Sequence, residues 1–515
     1  MLFGEEKMNW NYARYGAQNI ENFGEYDLLT YEDQDGAQTL TNRGLSDRSN
    51  ALAASLAELG IKRGDIVAVV LPNSLTAPVA FNGIFRLGAV FLPVIFGLTA
   101  SEIRYILEDS GAVAVVTNAE LHAKIAAASD GLAGIRHIIV EGDAPLRPGT
   151  ISFASLIDRQ AADFEMAAMA QDDLAVLMYT SGTTGSPKGV MLSHYNISIT
   201  LENGLSSWPS TRTDVSLVPL PLNHIFGMLM VNECNVTGAR MIIHKWFDPK
   251  MVLESISHNR VTQFAGVPTM LIKLLEAYDP AVHDLSSLAT WKCGGAQLSA
   301  ETVKAVEKTL GGVVYDGLGM TETAPSITRQ RVGQARKAGS VGPAIDGVTV
   351  KIFDEQDHEV PAGQDGEICV QGPGVMLGYL NKPHETAEAK RNGWLHTGDM
   401  GHLDHEGNVF ITGRKKDLII RGGENISPGS VEDALFSHPA VLEAAVIGVP
   451  DPLYGEEVKA CVVLRDGCSA TAEELIGHCL KTLPRFKSPK TVSFMRELPK
   501  NPVGKILKKE LRKMG

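Results

Sequence analysis

The chain has 515 residues, of which 44% are hydrophobic and 21% charged, and its formal net charge is −13. This length exceeds what one hydrophobic core supports, so we expect two or more domains with the composition of an ordinary soluble protein. The negative charge argues against a nucleic-acid partner, and no apolar run approaches the roughly 20 residues of a membrane-spanning helix. Residues 1–9 do not resemble an export signal, and the sequence therefore predicts a cytoplasmic protein.

The six cysteines are widely scattered and include no Cys-x-x-Cys pair. This pattern does not favour a disulfide framework or a structural zinc site, and several of the cysteines lie in apolar segments. We expect reduced cysteines in the core.

In chain order, segments with helical spacing alternate with short apolar runs. Leucines at helical spacing run from Leu45 to Leu59, the strand-like segment 66–71 follows, and the alternation recurs through 112–117 and 136–140. Strands that alternate with helices indicate parallel, doubly wound sheets, and hence an α/β fold.

A candidate phosphate-binding loop follows the apolar run Leu174–Tyr179, which predicts a buried strand. Residues 180–189 read Thr-Ser-Gly-Thr-Thr-Gly-Ser-Pro-Lys-Gly. Glycines that expose N–H groups, several hydroxyls and the charge of Lys188 have the composition of a phosphate cradle. The spacing is not that of the Walker loop. The alternative is a flexible Gly/Ser/Thr surface loop.

Two later strand-like segments also end in glycines. The first reaches Gly294 and Gly295, which are consistent either with a plain turn or with close backbone approach to a flat ligand. The second, 313–323, continues into glycines and hydroxyls and carries an acid, Glu322.

Beyond Gly339, short strands and turns predict a small antiparallel or barrel-like subdomain. After residues 413–417, Gly-Arg-Lys-Lys-Asp, about a hundred residues have the pattern of a separate α+β unit. We therefore predict domains at 1–413 and 414–515.

The segment from 481 to 513 is basic, and a solvated lysine face is the ordinary interpretation for most of it. Lys505 differs because the sequence Pro-Lys-Asn-Pro-Val-Gly-Lys at 499–505 predicts a turn that holds one lysine in place.

Five blocks resemble, in order and spacing, the motifs of the adenylate-forming superfamily. This superfamily comprises acyl-CoA synthetases, 4-coumarate-CoA ligases, beetle luciferases and the adenylation domains of peptide synthetases. The five blocks are residues 179–190, 317–323, 397–399, 413–417 and 499–505.

The resemblance implies a large N-terminal domain of doubly wound sheets with a small β-barrel-like subdomain. A small mobile α+β C-terminal domain would rotate about a hinge near Lys416. The implied enzyme is an acid–thiol ligase that converts a carboxylic acid and ATP into acyl-AMP and pyrophosphate, and then transfers the acyl group to coenzyme A. Alternatives are an enzyme that loads a carrier-protein phosphopantetheine, a luciferase-like oxygenase, and a nucleotide-binding module without turnover. A homodimer is compatible with the resemblance.

The resemblance also implies a role for each matching residue. Lys505 would bridge the carboxylate and the α-phosphate, Thr321 would contact the α-phosphate, and Glu322 with Thr180 would hold Mg²⁺. Asp399 would accept the ribose hydroxyls. The remaining implied nucleotide or coenzyme A contacts are Ser181, Gly182, Thr183, Thr184, Lys188, Gly294, Gly295, Asp316, Gly317, Leu318, Gly319, Met320, Ile411, Arg414, Gly422 and Gly423, with Lys416 as the pivot. Leu318 stands where many members carry an aromatic residue over adenine.

The segment 219–227 resembles the superfamily's substrate gate, with His224 as the gating ring. The alternative for His224 is a capping or core histidine. Ile225 stands where amino-acid-activating relatives carry an aspartate, and an unpaired ammonium there would be costly to bury. The small and apolar residues Gly227, Met228 and Val231, together with the glycines at 294–295 and 317, predict an apolar pocket for a medium or long fatty acid or an aryl acid.

Overall fold

The computed structural model describes residues 9–142, 149–158, 164–180, 187–500 and 506–514. The strands in these ranges are β1 Asp27–Asp33, β2 Gly36–Thr41, β3 Ile66–Val70, β4 Val90–Pro93, β5 Ala114–Asn118, β6 His137–Glu141, β7 Thr150–Ser152, β8 Leu174–Thr180, β9 Lys188–Ser193, β10 Val215–Val218, β11 Arg240–His244, β12 Gln263–Gly266, β13 Thr290–Gly294, β14 Val313–Gly317, β15 Ser340–Pro343, β16 Thr349–Phe353, β17 Gly366–Gln371, β18 Gly378–Tyr379, β19 Leu395–Leu403, β20 Asn408–Arg414, β21 Ile419–Arg421, β22 Glu424–Ile426, β23 Val441–Asp451, β24 Gly455–Leu464 and β25 Thr491–Phe494.

The α-helices in the same ranges are α1 Arg14–Phe23, α2 Asn42–Glu58, α3 Thr76–Leu87, α4 Ala100–Ser110, α5 His122–Ser129, α6 Phe153–Ile157, α7 His194–Leu205, α8 Ile225–Thr237, α9 Pro249–Asn259, α10 Pro268–Ala277, α11 Ala300–Thr309, α12 Pro383–Ala389, α13 Pro428–Phe436, α14 Ala472–Cys479 and α15 Lys508–Lys513. Within the described ranges, none of these helices combines the length and the apolar character needed to cross a bilayer.

Two large sheets form the first part of the molecule. One has eight strands in the order β18-β9-β8-β4-β3-β5-β6-β7, and the other has seven in the order β14-β13-β12-β10-β11-β1-β2. Most neighbouring strands are parallel, and strands such as β3 are apolar on both sides because helices cover both faces. The predicted α/β fold is confirmed.

The predicted antiparallel subdomain is a five-stranded sheet with the order β15-β20-β19-β17-β16. Its strands are antiparallel. Because β15 and β16 lie at opposite edges, the sheet is open and does not close into a barrel. It packs its own small core, which includes Ile352, Ile368 and Val370.

A separate small sheet with the order β22-β21-β24-β23 forms the last part, and β25 pairs with β24. Helices α13 and α14 cover it and share a core with Val446 and Val462. β20 ends at Arg414, a 3-10 turn spans Lys415–Asp417, and the small sheet begins at Ile419. The predicted pivot Lys416 lies in this turn.

Five of the six cysteines are buried, as their apolar sequence context predicts, and Cys468 is exposed.

Candidate active site

The phosphate-loop candidate connects two antiparallel strands. β8 ends at Thr180 and β9 begins at Lys188, and these two residues lie opposite each other in the ladder. Ser181, Gly182, Thr183 and Thr184 lie outside the described residues. The loop therefore belongs to a hairpin, which distinguishes it from a Walker loop that leads into a helix.

Tyr379 lies between the Glu322 carboxylate and Lys188 and contacts both. Glu322 is buried in the 3-10 turn Thr321–Thr323. It accepts a hydrogen bond of 3.0 Å from the Tyr379 hydroxyl, and Lys188 Nζ lies 4.9 Å from the centroid of the Tyr379 ring. Burial raises the pKa of Glu322, while Tyr379, Arg414 and Lys188 act in the opposite direction.

Sequence reasoning missed Tyr379. Its backbone pairs with Val190 at the edge of the eight-stranded sheet, and this pairing brings its ring to Glu322. No local motif indicates such a contact, since it depends on the order of strands in the sheet.

Gly317 and Gly319, which precede Glu322, lie so close to neighbouring backbone that a side chain would not fit. A Cβ at Gly319 would lie 1.9 Å from the Pro325 carbonyl oxygen, and one at Gly317 would lie 2.8 Å from the Thr328 carbonyl oxygen. Thr321 is buried, with its hydroxyl 4.0 Å from Met178 Sδ, and Met320 lies just before the turn. Leu318 is buried in the core of the five-stranded sheet.

Strands β13 and β14 bring the two glycine segments side by side. Gly294 is opposite Gly317, and Cys293 is opposite Asp316. Gly295 has a φ of +82°, which a residue with a side chain would adopt only with strain.

A cavity of about 370 Å³ lies between the two domains beside Asp316. Ile411 and Gln297 line it from the N-terminal side, and Ser430 and Asp433 from the C-terminal side. Two of the predicted nucleotide contacts, Asp316 and Ile411, therefore share one cavity.

Burial raises the pKa of Asp316 to about 8, although its carboxylate accepts a hydrogen bond of 2.9 Å from the Gly317 N–H. An unfolded aspartate ionises near pH 3.8, so the folded state binds the extra proton between these two values and its stability falls as the pH rises from about 4 to about 8.

We expect Asp316→Asn to remove this loss of stability. The free energy of unfolding of the variant, relative to the native protein, should increase by on the order of 2 kcal/mol or more between about pH 5 and pH 8. Urea unfolding at both pH values measures this difference, with the exposed Asp35→Asn as control. If the difference in the free energy of unfolding between variant and native protein is the same at both pH values, Asp316 ionises normally in the folded protein.

The predicted ribose residue Asp399 lies opposite Arg414 in the β19–β20 ladder. Arg414 Nε is 2.7 Å from Asp399 Oδ1, and Asp399 is buried. Both charges act on neighbouring Lys416, the predicted pivot, whose pKa is lowered mainly by burial.

A buried carboxylate beneath this pair was also missed by sequence reasoning. Glu367 Oε1 accepts a hydrogen bond of 3.1 Å from the Gly398 N–H, and Glu367 Oε2 lies 3.1 Å from Lys415 Nζ. Glu367 thus connects the ribose segment to the hinge turn. Cys369 and His396 complete a cluster with metal-ligating atoms, but Lys415 already compensates the Glu367 charge.

The remaining C-terminal candidates are not brought to Glu322 by described contacts. Gly422 and Gly423 form the exposed turn between β21 and β22, with φ of +59° and +88°. Lys505 lies outside the described residues, whereas its flanks are fixed, since Lys500 and Ile506 form an antiparallel bridge.

His224 is the N-cap of α8, and its Nδ1 accepts a hydrogen bond of 3.3 Å from the Phe226 N–H. This arrangement agrees with the capping alternative and leaves the gating role as a prediction.

Residues predicted to line the acyl pocket pack in the protein core, and their contact with the acid stays a prediction. Met228 and Val231 are buried in the large core cluster, and a Cβ at Gly227 would lie 2.3 Å from the Pro221 carbonyl oxygen. Phe226 faces Gly294, the last residue of β13, since a Cβ at Gly294 would lie 3.9 Å from Phe226 Cε1. Helix α8, and the direction in which its residues face, were not predicted from the sequence.

Comparison with known proteins agrees with this geometry. The AMP-binding enzyme profile matches residues 17–380, and the profile of the AMP-binding enzyme C-terminal domain matches residues 430–505. The chain belongs to the AMP-binding enzyme family.

Individual relatives cover nearly the whole chain. It is 38% identical to a feruloyl-CoA synthase of Amycolatopsis, with 93% of this chain and 94% of that protein aligned. It is 36% identical to a long-chain-fatty-acid–CoA ligase of Bacillus subtilis, over 89% and 87%. The crystal structure of the anthranilate CoA ligase AuaEII in complex with anthranoyl-AMP matches with a TM-score of 0.92 and 29% identity, over 98% and 97%. The predicted superfamily and the predicted class of acyl-CoA synthetase are confirmed.

Proposed function

We propose that this enzyme activates a carboxylic acid with ATP to an acyl-adenylate and then transfers the acyl group to the thiol of coenzyme A. The observation that carries the proposal is the convergence of Lys188, buried Glu322 and the Asp399–Arg414 pair on one region. The names of the relatives support the same reaction class.

The first step presses a carboxylate against the α-phosphate of ATP. Two unit charges of like sign at contact repel by about 4 kcal/mol at an effective dielectric constant of 20. Cations and oriented N–H groups must offset this repulsion. Lys188 and Arg414 are the described cations that act on Glu322, and Lys505 is proposed to meet the α-phosphate.

Glu322 and Thr180 are the proposed magnesium ligands. A buried carboxylate with a raised pKa is suited to a hard cation, since the cation would stabilise its ionised form. In the described part of the chain, Glu322 has no lysine or arginine within ion-pair distance. Magnesium would supply charge for the transferring phosphoryl group.

For the second step, we propose that the C-terminal domain rotates about Lys416. Rotation would bring the exposed turn Gly422–Gly423 to the adenylate and open a path for the thiol. The connection between Glu367, Lys415 and the ribose segment gives the hinge a defined resting position.

The acid is proposed to be a fatty or aryl acid. A carrier-protein phosphopantetheine is the alternative acceptor.

The test is a screen for pyrophosphate release over short, medium, long, aromatic and amino acids, with and without coenzyme A. We expect release with fatty or aryl acids and formation of the acyl-CoA. Release without thioester formation from coenzyme A would favour the carrier-protein alternative, and no release with any acid would contradict the proposed activity.

A further inference from the structure

Three buried side chains lie together beside the hinge turn, on two neighbouring strands of the five-stranded sheet. Glu367 and Cys369 are two residues apart on β17, so their side chains share one face of this strand. His396 of β19 lies directly opposite Cys369 in the antiparallel ladder. Backbone pairing therefore brings a carboxylate, a thiol and an imidazole together, and we call these three residues the hinge cluster.

The ligand atoms of the hinge cluster have separations close to those of zinc ligands. His396 Nδ1 lies 3.2 Å from Cys369 Sγ and 3.2 Å from Glu367 Oε2, and all three atoms lie within 4.8 Å of one another. Zinc bonds of about 2.0–2.3 Å at tetrahedral angles place neighbouring ligand atoms roughly 3.4–3.6 Å apart. The two shortest separations therefore need to widen by only about 0.2–0.4 Å.

The donor atoms favour zinc over magnesium. Thiolate and imidazole are ligands of soft and borderline metals, whereas magnesium requires oxygen donors. Three protein ligands also leave the fourth tetrahedral position for a water molecule. All three side chains are buried on paired strands, which limits their motion.

The outer nitrogen of His396 faces a second carboxylate. Within the part of the chain that the structure describes, this buried Nε2 has no hydrogen-bond partner, and Asp357 Oδ1 lies 4.0 Å away. Asp357 is itself held by Arg391 Nε at 2.9 Å. A metal at Nδ1 requires the imidazole proton to be on Nε2, where it points toward this carboxylate. Zinc proteins commonly orient a ligating histidine in this way.

Lys415 is the cation that neutralises Glu367 in this structure. Its Nζ lies 3.1 Å from Glu367 Oε2. The carboxylates of Glu367 and Asp357 are balanced by Lys415 and Arg391. Zinc and a Cys369 thiolate together add one positive charge, and departure of Lys415 removes one. Exchange of the ammonium for zinc therefore leaves the net charge of this buried group unchanged, which avoids the cost of an uncompensated ion.

The path for a metal ion passes Lys415. This side chain is 46% exposed, against 7% for Glu367, and it lies in the 3-10 turn Lys415–Asp417 between the two domains. Lys415 therefore lies between the carboxylate and the solvent, and its departure gives access to the hinge cluster.

We propose that Glu367, Cys369 and His396 bind one zinc ion in exchange for the ammonium of Lys415. The thiol proton passes to the solvent, and zinc takes its place on the sulfur. Because Lys415 belongs to the hinge turn, zinc binding releases one of the contacts that hold this turn. The site is distinct from the proposed magnesium site at Glu322.

Cobalt(II) tests the site on the whole chain without an affinity tag, because it takes the same ligands as zinc and absorbs light. We expect one cobalt ion per chain, a charge-transfer band from a thiolate sulfur and the visible bands of a tetrahedral site. Zinc should displace the cobalt in equal amount. Absence of the sulfur band would overturn the proposal. No ATP or acid is present, so the result does not depend on the proposed ligase function.

Cysteine variants identify the sulfur. Cys369→Ser should abolish the charge-transfer band. Cys461→Ser, which changes another buried thiol, and Cys468→Ser, which changes the exposed one, should keep the band. A band that survives Cys369→Ser would mean that cobalt binds elsewhere, and the proposal would fail.

Lys415→Met tests the exchange and leaves the three ligands in place. Removal of the competing ammonium should raise the affinity for cobalt and for zinc by about tenfold or more, because Glu367 then lacks its nearest cation. The matched control is Lys304→Met, which removes an exposed lysine from its pair with Glu301 and should leave both affinities unchanged. An affinity that does not rise in Lys415→Met would overturn the exchange. Should Cys369→Ser not fold, the native enzyme and this variant decide.

Discussion

Lys505→Ala is expected to abolish acid-dependent pyrophosphate release while thioester formation from supplied acyl-adenylate continues. Lys505 is proposed to neutralise the carboxylate and the α-phosphate as they approach, and this charge is needed only before the adenylate forms. Removal of one such group typically costs about 100-fold or more in rate.

The residues that flank Lys505 in the sequence are held by hydrogen bonds. Lys500 pairs with Ile506 across the segment, the Leu507 N–H donates to the Pro499 carbonyl at 2.8 Å, and Lys500 Nζ lies 2.6 Å from Glu443 Oε1. These contacts hold both ends of the segment against the C-terminal sheet.

The two half-reactions of the Lys505→Ala variant are measured separately, by pyrophosphate release and by consumption of supplied adenylate with coenzyme A. The control is Lys509→Ala, an exposed lysine of α15, which should leave both rates unchanged. Equal loss of both half-reactions would contradict this division of labour.

Glu322→Gln should lower the rate of adenylate formation by about 100-fold or more, since it removes the buried charge proposed to hold the metal. The glutamine keeps the size of the side chain and can still accept the Tyr379 hydrogen bond. Pyrophosphate release at increasing magnesium concentrations measures the effect, and Tyr379→Phe, which keeps the charge, should cost much less.

The pH dependence of the native enzyme's activity gives a second test of metal binding by Glu322. Because burial raises the pKa of Glu322, its ionised form is lost at a higher pH than that of an ordinary glutamate as the solution is acidified. In the pH–activity profile, activity should begin to fall at a pH above the usual range for carboxylates as the solution is acidified. Added magnesium should shift this acid limb of the profile to lower pH. Glu355→Gln, an exposed change, is the control. A limb insensitive to magnesium would argue against metal binding by Glu322.

The parts of this protein that sequence identifies well are local. The strand Leu174–Thr180, the glycines and hydroxyls after it and Lys188 are contiguous, so their composition alone predicts a phosphate site. For Gly317–Glu322, the role in nucleotide and magnesium binding is what the resemblance to the superfamily implies. The alternation of strands and helices predicts the α/β class because each element's period follows from its own residues.

Contacts between distant segments were not predictable in this way. Tyr379 and Glu322 are 57 positions apart, and Lys292 and Glu233 are 59 positions apart. Neither pair lies in a recognisable motif, and each depends on which strands are neighbours and on how a helix is rotated.

By itself, then, the sequence determined the family, the α/β class and most candidate groups for adenylate chemistry. The motifs that carry this information are short contiguous segments, most of them at strand ends. Only the tertiary structure decided which face of α8 meets β13. It places Phe226 against Gly294 and pairs Glu233 with Lys292, while Met228 and Val231 pack in the large core cluster. The physical reason is that α8 is buried on nearly all sides, so its sequence carries little periodic signal for its orientation, whereas a buried ion pair forms only where packing brings its two charges together.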